Sequence, residues 1–236
     1  MKTAASSVRE ISVPAARLAI AAMLIYHVTL IALIFLRPDL DPSWHTISEW
    51  AIGPYGWIMT AAFLISGLTY ASLFVAIRSQ MRGTLGKIGL VILLICTIGT
   101  VGVGIFTTDP MPFGVTALST TGILHIIFGT TAMTLLPFGA LLINLSLALK
   151  NEAWASARRA LLWTAGVPFL GSASATAYTI IFVVPLGPTA YGPGVHIGWP
   201  PRVIFWSYMI WLITLAWQAM KLRRQASCAQ PGSATT

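Results

Sequence analysis

The chain has 236 residues, of which 56% are hydrophobic and only 8% are charged, and its formal net charge is +8. This composition excludes an ordinary water-soluble domain, in which about a quarter of the residues are charged, and it predicts a protein that has the lipid bilayer as its solvent. The basic charge does not predict a nucleic-acid partner, because the sequence shows no clustered basic face and membrane topology with anionic lipid head groups accounts for it.

Six apolar stretches follow one another along the chain, and each is long enough to cross a hydrocarbon core of about 30 Å as a helix. They are residues 14–36, 55–77, 85–106, 118–148, 160–184 and 202–220. Long runs of this kind are not typical of a β-barrel, whose strands alternate over roughly ten residues. We predict an all-α, polytopic membrane protein with one six-helix domain over 14–222, flanked by disordered cytoplasmic tails at 1–13 and 223–236.

The distribution of basic residues predicts the orientation of these spans. Twelve of the fourteen Lys and Arg residues fall on one side of the predicted membrane, and only Arg37 and Arg202 fall on the other. Because Lys and Arg are retained in the cytoplasm, both termini are expected to be cytoplasmic, in the inner membrane of the cell. All four histidines and four of the six carboxylates then lie towards the outer side, where we expect any chemistry. The stretch 14–36 is too long for a cleaved signal and is expected to remain as an anchor.

The first outer loop is the most distinctive polar segment of the chain. Thr46 or Ser48 can cap a short helix, in which Ile47 and Trp50 lie three residues apart on one face. We therefore predict a short interfacial helix in this loop.

Two later spans contain features that bear on packing. Pro137 and Pro168 each remove a backbone donor and are expected to kink spans four and five. The small and hydroxyl-bearing residues of Gly171–Tyr178 can line a cavity or pack closely with their hydroxyls bonded to the backbone, and we favour packing.

Ionisable side chains in or beside the spans are the candidate functional groups, because they are costly in lipid and turn towards partners or water. His27 and His125 lie roughly 10–14 Å below the outer ends of their helices, at 1.5 Å per residue, and Glu49 and Asp109 lie just outside spans two and three. We predict Asp109 and His125 as the primary polar pair of a catalytic or binding site, with His27 and Glu49 in support. The structural alternatives are hydrogen-bonded core histidines, a loop-turning or capping Asp109 and a solvated Glu49.

Aromatic residues are concentrated near the outer ends of the spans, as expected for an interfacial belt. A sharper interpretation is a pocket for an amphiphile, whose charged head meets Arg37 or Arg202 while its tail lies between helices. The residues predicted to bind this substrate are Arg37, Asp39, Trp50, Tyr55, Trp57 and Arg202.

Two cofactor sites are possible interpretations of the histidines. His27 and His125 could ligate a haem, and a metal ion could bind a set of hard or borderline ligands. That set would come from His45, Glu49, Asp109, His125 and His196. Because only two histidines lie in the spans and no tight metal-binding spacing is present, we predict neither a cofactor nor a metal.

Several short motifs resemble the DUF998 family of multi-pass prokaryotic membrane proteins, over about residues 15–220. They are Arg37-Pro38-Asp39-Leu40-Asp41-Pro42, Ile47-Ser48-Glu49, Gly53-Pro54-Tyr55-Gly56-Trp57, Gly104-Ile105-Phe106 with Asp109, and Gly122-Ile123-Leu124-His125. The resemblance implies the six-span architecture and supplies no reaction. A fainter similarity to the eukaryotic Frag, DRAM and Sfk membrane proteins implies a lipid-related role. Glu49 stands where family members have Leu or Met-type residues, so the resemblance carries no role for it.

These features predict a membrane protein that binds or remodels a lipid-like or isoprenoid molecule in a polar pocket of the outer half of the bundle. Its partners would be membrane lipids and a hydrophobic or amphiphilic small molecule. One alternative is a membrane-embedded acid/base enzyme resembling an isoprenoid cyclase, in which a carboxylic acid starts the reaction and aromatic faces stabilise cations. The other is a proton-coupled transporter with His27 and His125 as relay groups, although no charged group continues the relay through the cytoplasmic halves of the spans.

Overall fold

The structure, a computed structural model, describes residue 8, residues 10–111 and residues 118–228. The α-helices are α1 (Val13–Leu36), α2 (Gly56–Ile77), α3 (Gly83–Ile105), α4 (Thr120–Lys150), α5 (Arg158–Ala165), α6 (Val167–Tyr178) and α7 (Trp199–Cys228). Short 3-10 helices lie at Ile47–Ala51, Arg78–Gln80, Glu152–Ala157 and Val184–Thr189. Among these described residues, six helical segments are long and apolar enough to cross a membrane, the fifth running from Glu152 to Gly187. The predicted all-α, six-span architecture is confirmed.

The first four spans begin and end within two residues of their predicted bounds, whereas the last helix is longer than predicted at both ends. Of the predicted tails, residues 223–228 belong to α7. Residues 1–7, 9 and 229–236 of those tails lie outside the described residues.

Glycines allow α3 and α4 to approach closely. A methyl group at Gly99 would lie 2.8 Å from the carbonyl oxygen of Phe128, and one at Gly89 would lie 2.9 Å from the side chain of Ile143. Helices in lipid associate through such close packing, since the bilayer supplies no hydrophobic force between them. The α3–α4 pair is accordingly the most extensive helix contact in the described bundle.

The bundle has two chemically different ends. The loop end is where α1 ends and α2 begins, and it carries residues 37–55, 106–111, 118–119 and 184–198. The basic end is where α2 ends and α3 begins, and it carries most of the Lys and Arg residues. At the basic end, the amide of Ser12, just before α1, donates a hydrogen bond to the carbonyl oxygen of Ala76 near the end of α2.

A buried polar network holds the basic half of the bundle together. Asn144 of α4 is fully buried, and its amide nitrogen donates to the carbonyl oxygen of Leu161 at 2.8 Å and to the Thr164 hydroxyl at 3.2 Å. Its amide oxygen accepts from the indole nitrogen of Trp211 at 3.1 Å. Asn144 therefore joins spans four, five and six with both of its polar atoms satisfied.

A second buried contact closes the same end. The indole nitrogen of fully buried Trp154 donates to the side-chain oxygen of Gln80 at 3.2 Å. The side-chain amide of Asn151 donates to the main-chain oxygen of Gln80 at 2.9 Å. These bonds link the turn after α2 to the turn after α4.

Pro137 lies inside α4 and removes the amide that would bond to the carbonyl oxygen of Met133. The hydroxyl of Tyr208, from α7, donates to that oxygen at 2.6 Å. A neighbouring span thus supplies the donor that the proline lacks, as helix-breaking residues in membranes require.

Span five is broken rather than continuous. Its α-helix is interrupted at Gly166, and Pro168 stands in the first turn of α6, where a missing amide costs nothing. A wider π-helical turn follows at Thr179–Val183. The predicted disturbance at Pro168 therefore takes the form of a helix restart.

The run Gly171–Tyr178 both packs and lines a space. Gly171 lies against Ser207 so closely that a methyl group would collide with its hydroxyl, and the hydroxyl of Ser174 donates to the carbonyl oxygen of Gly171 at 2.9 Å. Ser172 and Thr176 line a crevice of about 670 Å³ between α4 and α6. We refer to this space as the crevice.

Candidate functional site

Arg37 fixes the start of the first loop. Its guanidinium donates to both carboxylate oxygens of Asp39, at 2.7 to 3.1 Å, and to the carbonyl oxygens of Ile52 at 2.7 Å and Pro54 at 2.9 Å. These hydrogen bonds lower the pKa of the Asp39 carboxyl and raise that of the guanidinium. Arg37 and Asp39 are both predicted to bind substrate, and in the structure they tie the end of α1 to the start of α2.

Glu49 lies in the short helix of the same loop and is buried, not on a solvated face. One carboxylate oxygen accepts from the Thr46 amide at 2.6 Å, as part of a capping box, and also from the Thr46 hydroxyl at 3.0 Å. The other oxygen accepts a short hydrogen bond from the hydroxyl of Tyr191. Glu49 therefore joins the first loop to the loop before α7.

The Glu49–Tyr191 contact predicts a loss of stability at alkaline pH. Burial, and then the hydrogen bond to Glu49, raise the pKa of Tyr191 above its ordinary value of 10.0. The unfolded chain would ionise this phenol near pH 10 while the folded protein still holds it neutral, so its contribution to stability is complete below about pH 10 and declines as the pH rises further. Unfolding in mixed micelles at about pH 9 and pH 11 measures the decline.

The Tyr191→Phe variant is the control for that measurement. It has no phenol to titrate at this position, so it should lose less stability than the wild type over the same interval. Equal losses in the two proteins would contradict the assignment.

Asp109 holds the N-terminus of α4. Its carboxylate accepts from the Ser119 amide at 2.9 Å and from the Ser119 hydroxyl at 2.7 Å, and that hydroxyl in turn accepts from the Gly122 amide at 3.0 Å. A methyl group at Gly122 would collide with the carboxylate. The capping alternative for Asp109 matches this geometry, and no ion pair joins it to His125 in the described part of the chain.

His125 stands one turn into α4 and is only 7% exposed. Its Nδ1 lies 2.7 Å from the carbonyl oxygen of Phe106. A carbonyl oxygen only accepts, so Nδ1 carries the hydrogen and Nε2 of the neutral ring is left as an acceptor. No described residue donates a hydrogen bond to Nε2.

His27 repeats this arrangement in α1. Its Nδ1 donates to the carbonyl oxygen of Met23 at 2.9 Å, and its Nε2 is buried without a hydrogen-bond partner. Its ring lies edge-on to Tyr26, with the ring centroids 5.2 Å apart. An unpartnered polar atom of this kind is costly in an apolar interior.

His27 borders a cavity of about 330 Å³ between α1, the first loop and α7, which we call the lateral pocket. Its walls include His27, Ile31, Ile47, Trp50, Arg202 and Trp206. The side chains of Ile31 and Trp206 are exposed on the outside of the bundle. The pocket therefore opens towards the surface that lipid would cover.

Arg202 is the charged group of the lateral pocket, and it is only 9% exposed. One terminal nitrogen, Nη1, donates to the carbonyl oxygens of His45 and Gly198, and the guanidinium carbon lies 4.9 Å from the ring centroid of Trp50. Among the described residues, Nε and Nη2 have no acceptor and the guanidinium forms no ion pair. Asp41 and Glu49 act on it only through space.

His125 borders a second, smaller space, which we call the central cavity. It has a volume of about 140 Å³ and lies between the first loop, α2, α3, α4 and α7. Its walls include Ile47, Tyr70, Thr100, His125, Met133 and Tyr208, and none of its described lining residues is charged. Ile47 lines both this cavity and the lateral pocket.

Of the remaining predicted substrate-binding residues, one lines the lateral pocket and two lie on the surface of the bundle. Trp50 is buried, lines the lateral pocket and donates from its indole nitrogen to the carbonyl oxygen of Leu33 at 3.3 Å. Tyr55 and Trp57 are exposed and line neither cavity. The latter two thus match the interfacial belt.

The four predicted catalytic residues do not meet at one point. His125 lines the central cavity, whereas His27 lines the lateral pocket. The Asp109 carboxylate is hydrogen-bonded to Ser119, and the Glu49 carboxylate is hydrogen-bonded to Thr46 and Tyr191. No group of three His, Cys, Asp or Glu side chains in the described ranges is placed to hold a metal ion.

Two contributors to the site were missed as functional residues in the sequence. The hydroxyl of Tyr191 reaches Glu49 across 142 positions of sequence, which no local pattern reveals. Tyr208 could have been suspected, because Pro137 leaves a carbonyl oxygen without a donor and a membrane interior must supply one.

Comparison with known proteins identifies a family but no characterised relative. Residues 19–218 match the model of a family described as "Protein of unknown function (DUF998)". The chain belongs to the DUF998 family. The resemblance found in the sequence is thereby confirmed, and two of the runs on which it was based, Arg37-Pro38-Asp39 and Gly122–His125, lie at the loop end of the bundle. No curated protein and no solved structure gives a significant match to the chain.

Proposed function

We propose that this protein binds a lipid-like or isoprenoid amphiphile in the lateral pocket, with a negatively charged head group beside Arg202 and the tail along α1 and α7. The observation that carries this proposal is the buried guanidinium of Arg202, whose Nε and Nη2 have no acceptor among the described residues. A buried cation is strongly disfavoured without a compensating partner. An anionic ligand group would complete its hydrogen bonds.

The other walls of the pocket suit the rest of such a molecule. Ile31, Ile34 and Met209 are apolar, and Trp199 and Trp206 supply the amphipathic rings found at membrane interfaces. A volume of about 330 Å³ is at the lower end of ligand pockets. It would hold the head group and the first part of a tail, while the remainder lies among lipid chains.

The pocket would face the outer leaflet of the inner membrane. This orientation is supported by the twelve Lys and Arg residues assigned to the opposite side, because basic residues remain cytoplasmic. Both termini would then be cytoplasmic.

The two alternative functions have less support. An acid/base enzyme needs a carboxylic acid facing an apolar substrate, and neither Glu49 nor Asp109 lines the lateral pocket or the central cavity. A proton-coupled transporter needs connected titratable groups, whereas His27 and His125 border separate spaces.

Mass spectrometry of co-purifying lipids tests the proposal. The wild-type protein, purified in mild detergent, should retain an anionic amphiphile, and the Arg202→Gln variant should retain at least about tenfold less, as expected when one charge-assisted contact is lost. Arg202→Lys keeps the positive charge and should retain an intermediate amount. The matched control is Arg159→Gln, which makes the same change at an exposed arginine of the basic end and should leave retention unchanged.

Equal retention by the wild type and a folded Arg202→Gln variant would overturn the proposal. So would a wild-type protein that carries no amphiphile and binds none when titrated with anionic lipid in nanodiscs.

A further inference from the structure

We infer that the central cavity is a second, separate binding site, which takes an uncharged, ring-sized group bearing an O–H or N–H donor. Its recognition element is Nε2 of His125. The inference does not depend on Arg202 or on an amphiphile in the lateral pocket.

The hydrogen bonds of His125 define what it can accept. Nδ1 is committed to the carbonyl oxygen of Phe106 at 2.7 Å, and this contact, with Phe63 edge-on at a centroid distance of 6.1 Å, fixes the plane of the ring. The carbonyl oxygen of Val103 also interacts with the ring, but a carbonyl oxygen only accepts, so Nε2 has no donor among the described residues and presents a lone pair. A ligand must bring the hydrogen.

Two hydroxyl oxygens of the cavity wall are, like Nε2, hydrogen-bond acceptors. The Thr100 hydroxyl donates to the carbonyl oxygen of Cys96 at 2.8 Å, and the Tyr208 hydroxyl donates to that of Met133 at 2.6 Å. With their hydrogens committed, these two oxygens can only accept, and that of Tyr208 also lies 3.4 Å from the Ser172 hydroxyl. Together with Nε2, these oxygens give the wall several acceptors for a ligand with donor groups, beside the hydroxyl of Tyr70.

The charge and size of the cavity narrow the ligand further. None of the described lining residues is Asp, Glu, Lys or Arg, so a charged ligand would find no counter-ion there. A volume of about 140 Å³ is comparable to an engineered cavity of about 150 Å³ that binds benzene. One six-membered ring with a hydroxyl group fits these limits.

The crevice offers a route from the bilayer to this site. Met133 lines both the crevice and the central cavity. Its unbranched thioether is the most adaptable apolar side chain. A ring-sized molecule would enter between α4 and α6 and pass this residue.

Phenol and toluene provide a matched pair of probes, since they have the same number of heavy atoms and only phenol has a donor. The full chain is labelled with ¹⁵N-histidine in nanodiscs, and the Nε2 resonance of His125 is assigned from its loss in His125→Gln. Phenol should shift this resonance saturably. Toluene should bind about tenfold more weakly, as expected for the loss of one hydrogen bond in a buried site.

Two variants test whether the phenol response arises from the central cavity. Gly129→Leu fills the cavity, whose wall Gly129 forms, and should abolish the phenol response while His125 remains. Arg202→Gln should still give a saturable phenol response, whether or not its midpoint shifts, so this inference and the proposed function can fail separately. No saturable phenol shift, as in a cavity that holds water only, would overturn the inference. An equal response to toluene, or a response that persists in a folded Gly129→Leu protein, would also overturn it.

Discussion

The Glu49→Ala variant should be less stable than the wild type by about 3 kcal/mol, because three donors lose a charged acceptor, each worth roughly 1.5–3 kcal/mol, and water recovers part of the loss. The donors are the amide and hydroxyl of Thr46 and the hydroxyl of Tyr191. Two loops would also lose their shared contact. Reversible unfolding in mixed micelles, titrated with sodium dodecyl sulfate, measures the difference.

Two further variants separate the contributions of this contact. Tyr191→Phe removes one donor and leaves the capping box intact, so it should lose about half as much stability as Glu49→Ala. The double variant Glu49→Ala with Tyr191→Phe should be as stable as Glu49→Ala alone, because the bond between the two residues is already absent. Asp41→Ala is the matched control, since Asp41 is an exposed carboxylate of the same loop whose hydrogen bonds from the described residues come from Ser43 alone, with the Ser43 amide at 2.8 Å. If Glu49→Ala unfolded at the same detergent fraction as Asp41→Ala, the structural role of Glu49 would be wrong.

The Asn144→Leu variant should lose about 2 kcal/mol, the cost of leaving a buried donor without a partner. Leucine has the same number and branching of side-chain heavy atoms as asparagine. The loss therefore comes mainly from the unpaired indole nitrogen of Trp211 and from the missing hydrogen bonds between spans four, five and six. Hydrogen bonds between membrane helices average less than this, about 0.6 kcal/mol. Asn144 is expected to exceed the average because it bonds to three partners at once.

Replacing both partners tests whether the unpaired indole sets this cost. Asn144→Leu combined with Trp211→Phe removes the orphaned donor and should recover part of the stability lost in Asn144→Leu. Additive losses in the double variant would show that packing, and not the indole nitrogen, is responsible.

The spans were predictable because hydropathy sums over about twenty residues, so single polar residues do not disturb it. Local geometry inside a span was harder to predict. The continuous helix expected over 160–184 is interrupted at Gly166 and widened at Thr179–Val183, since Pro168 is equally compatible with a kink and a restart.

The candidate site was predictable only in part, because depth along a helix does not fix the direction in which a side chain points. His27 and His125 were placed at similar depth, yet they line different cavities. The spacing from Thr46 to Glu49 is that of a capping box, and this signal could have assigned Glu49 its contacts in advance. The contacts of Arg202 with His45 and Trp50 could not be predicted, because both partners lie in the first loop, far away in the sequence.

Ile47 forms part of the wall of both the lateral pocket and the central cavity. Its side chain is thus shared by the two spaces, and an occupant of either one would contact it. Occupants of the two spaces would be thermodynamically linked through this single side chain: whatever factor the first imposes on the affinity of the second, the second must impose on the first.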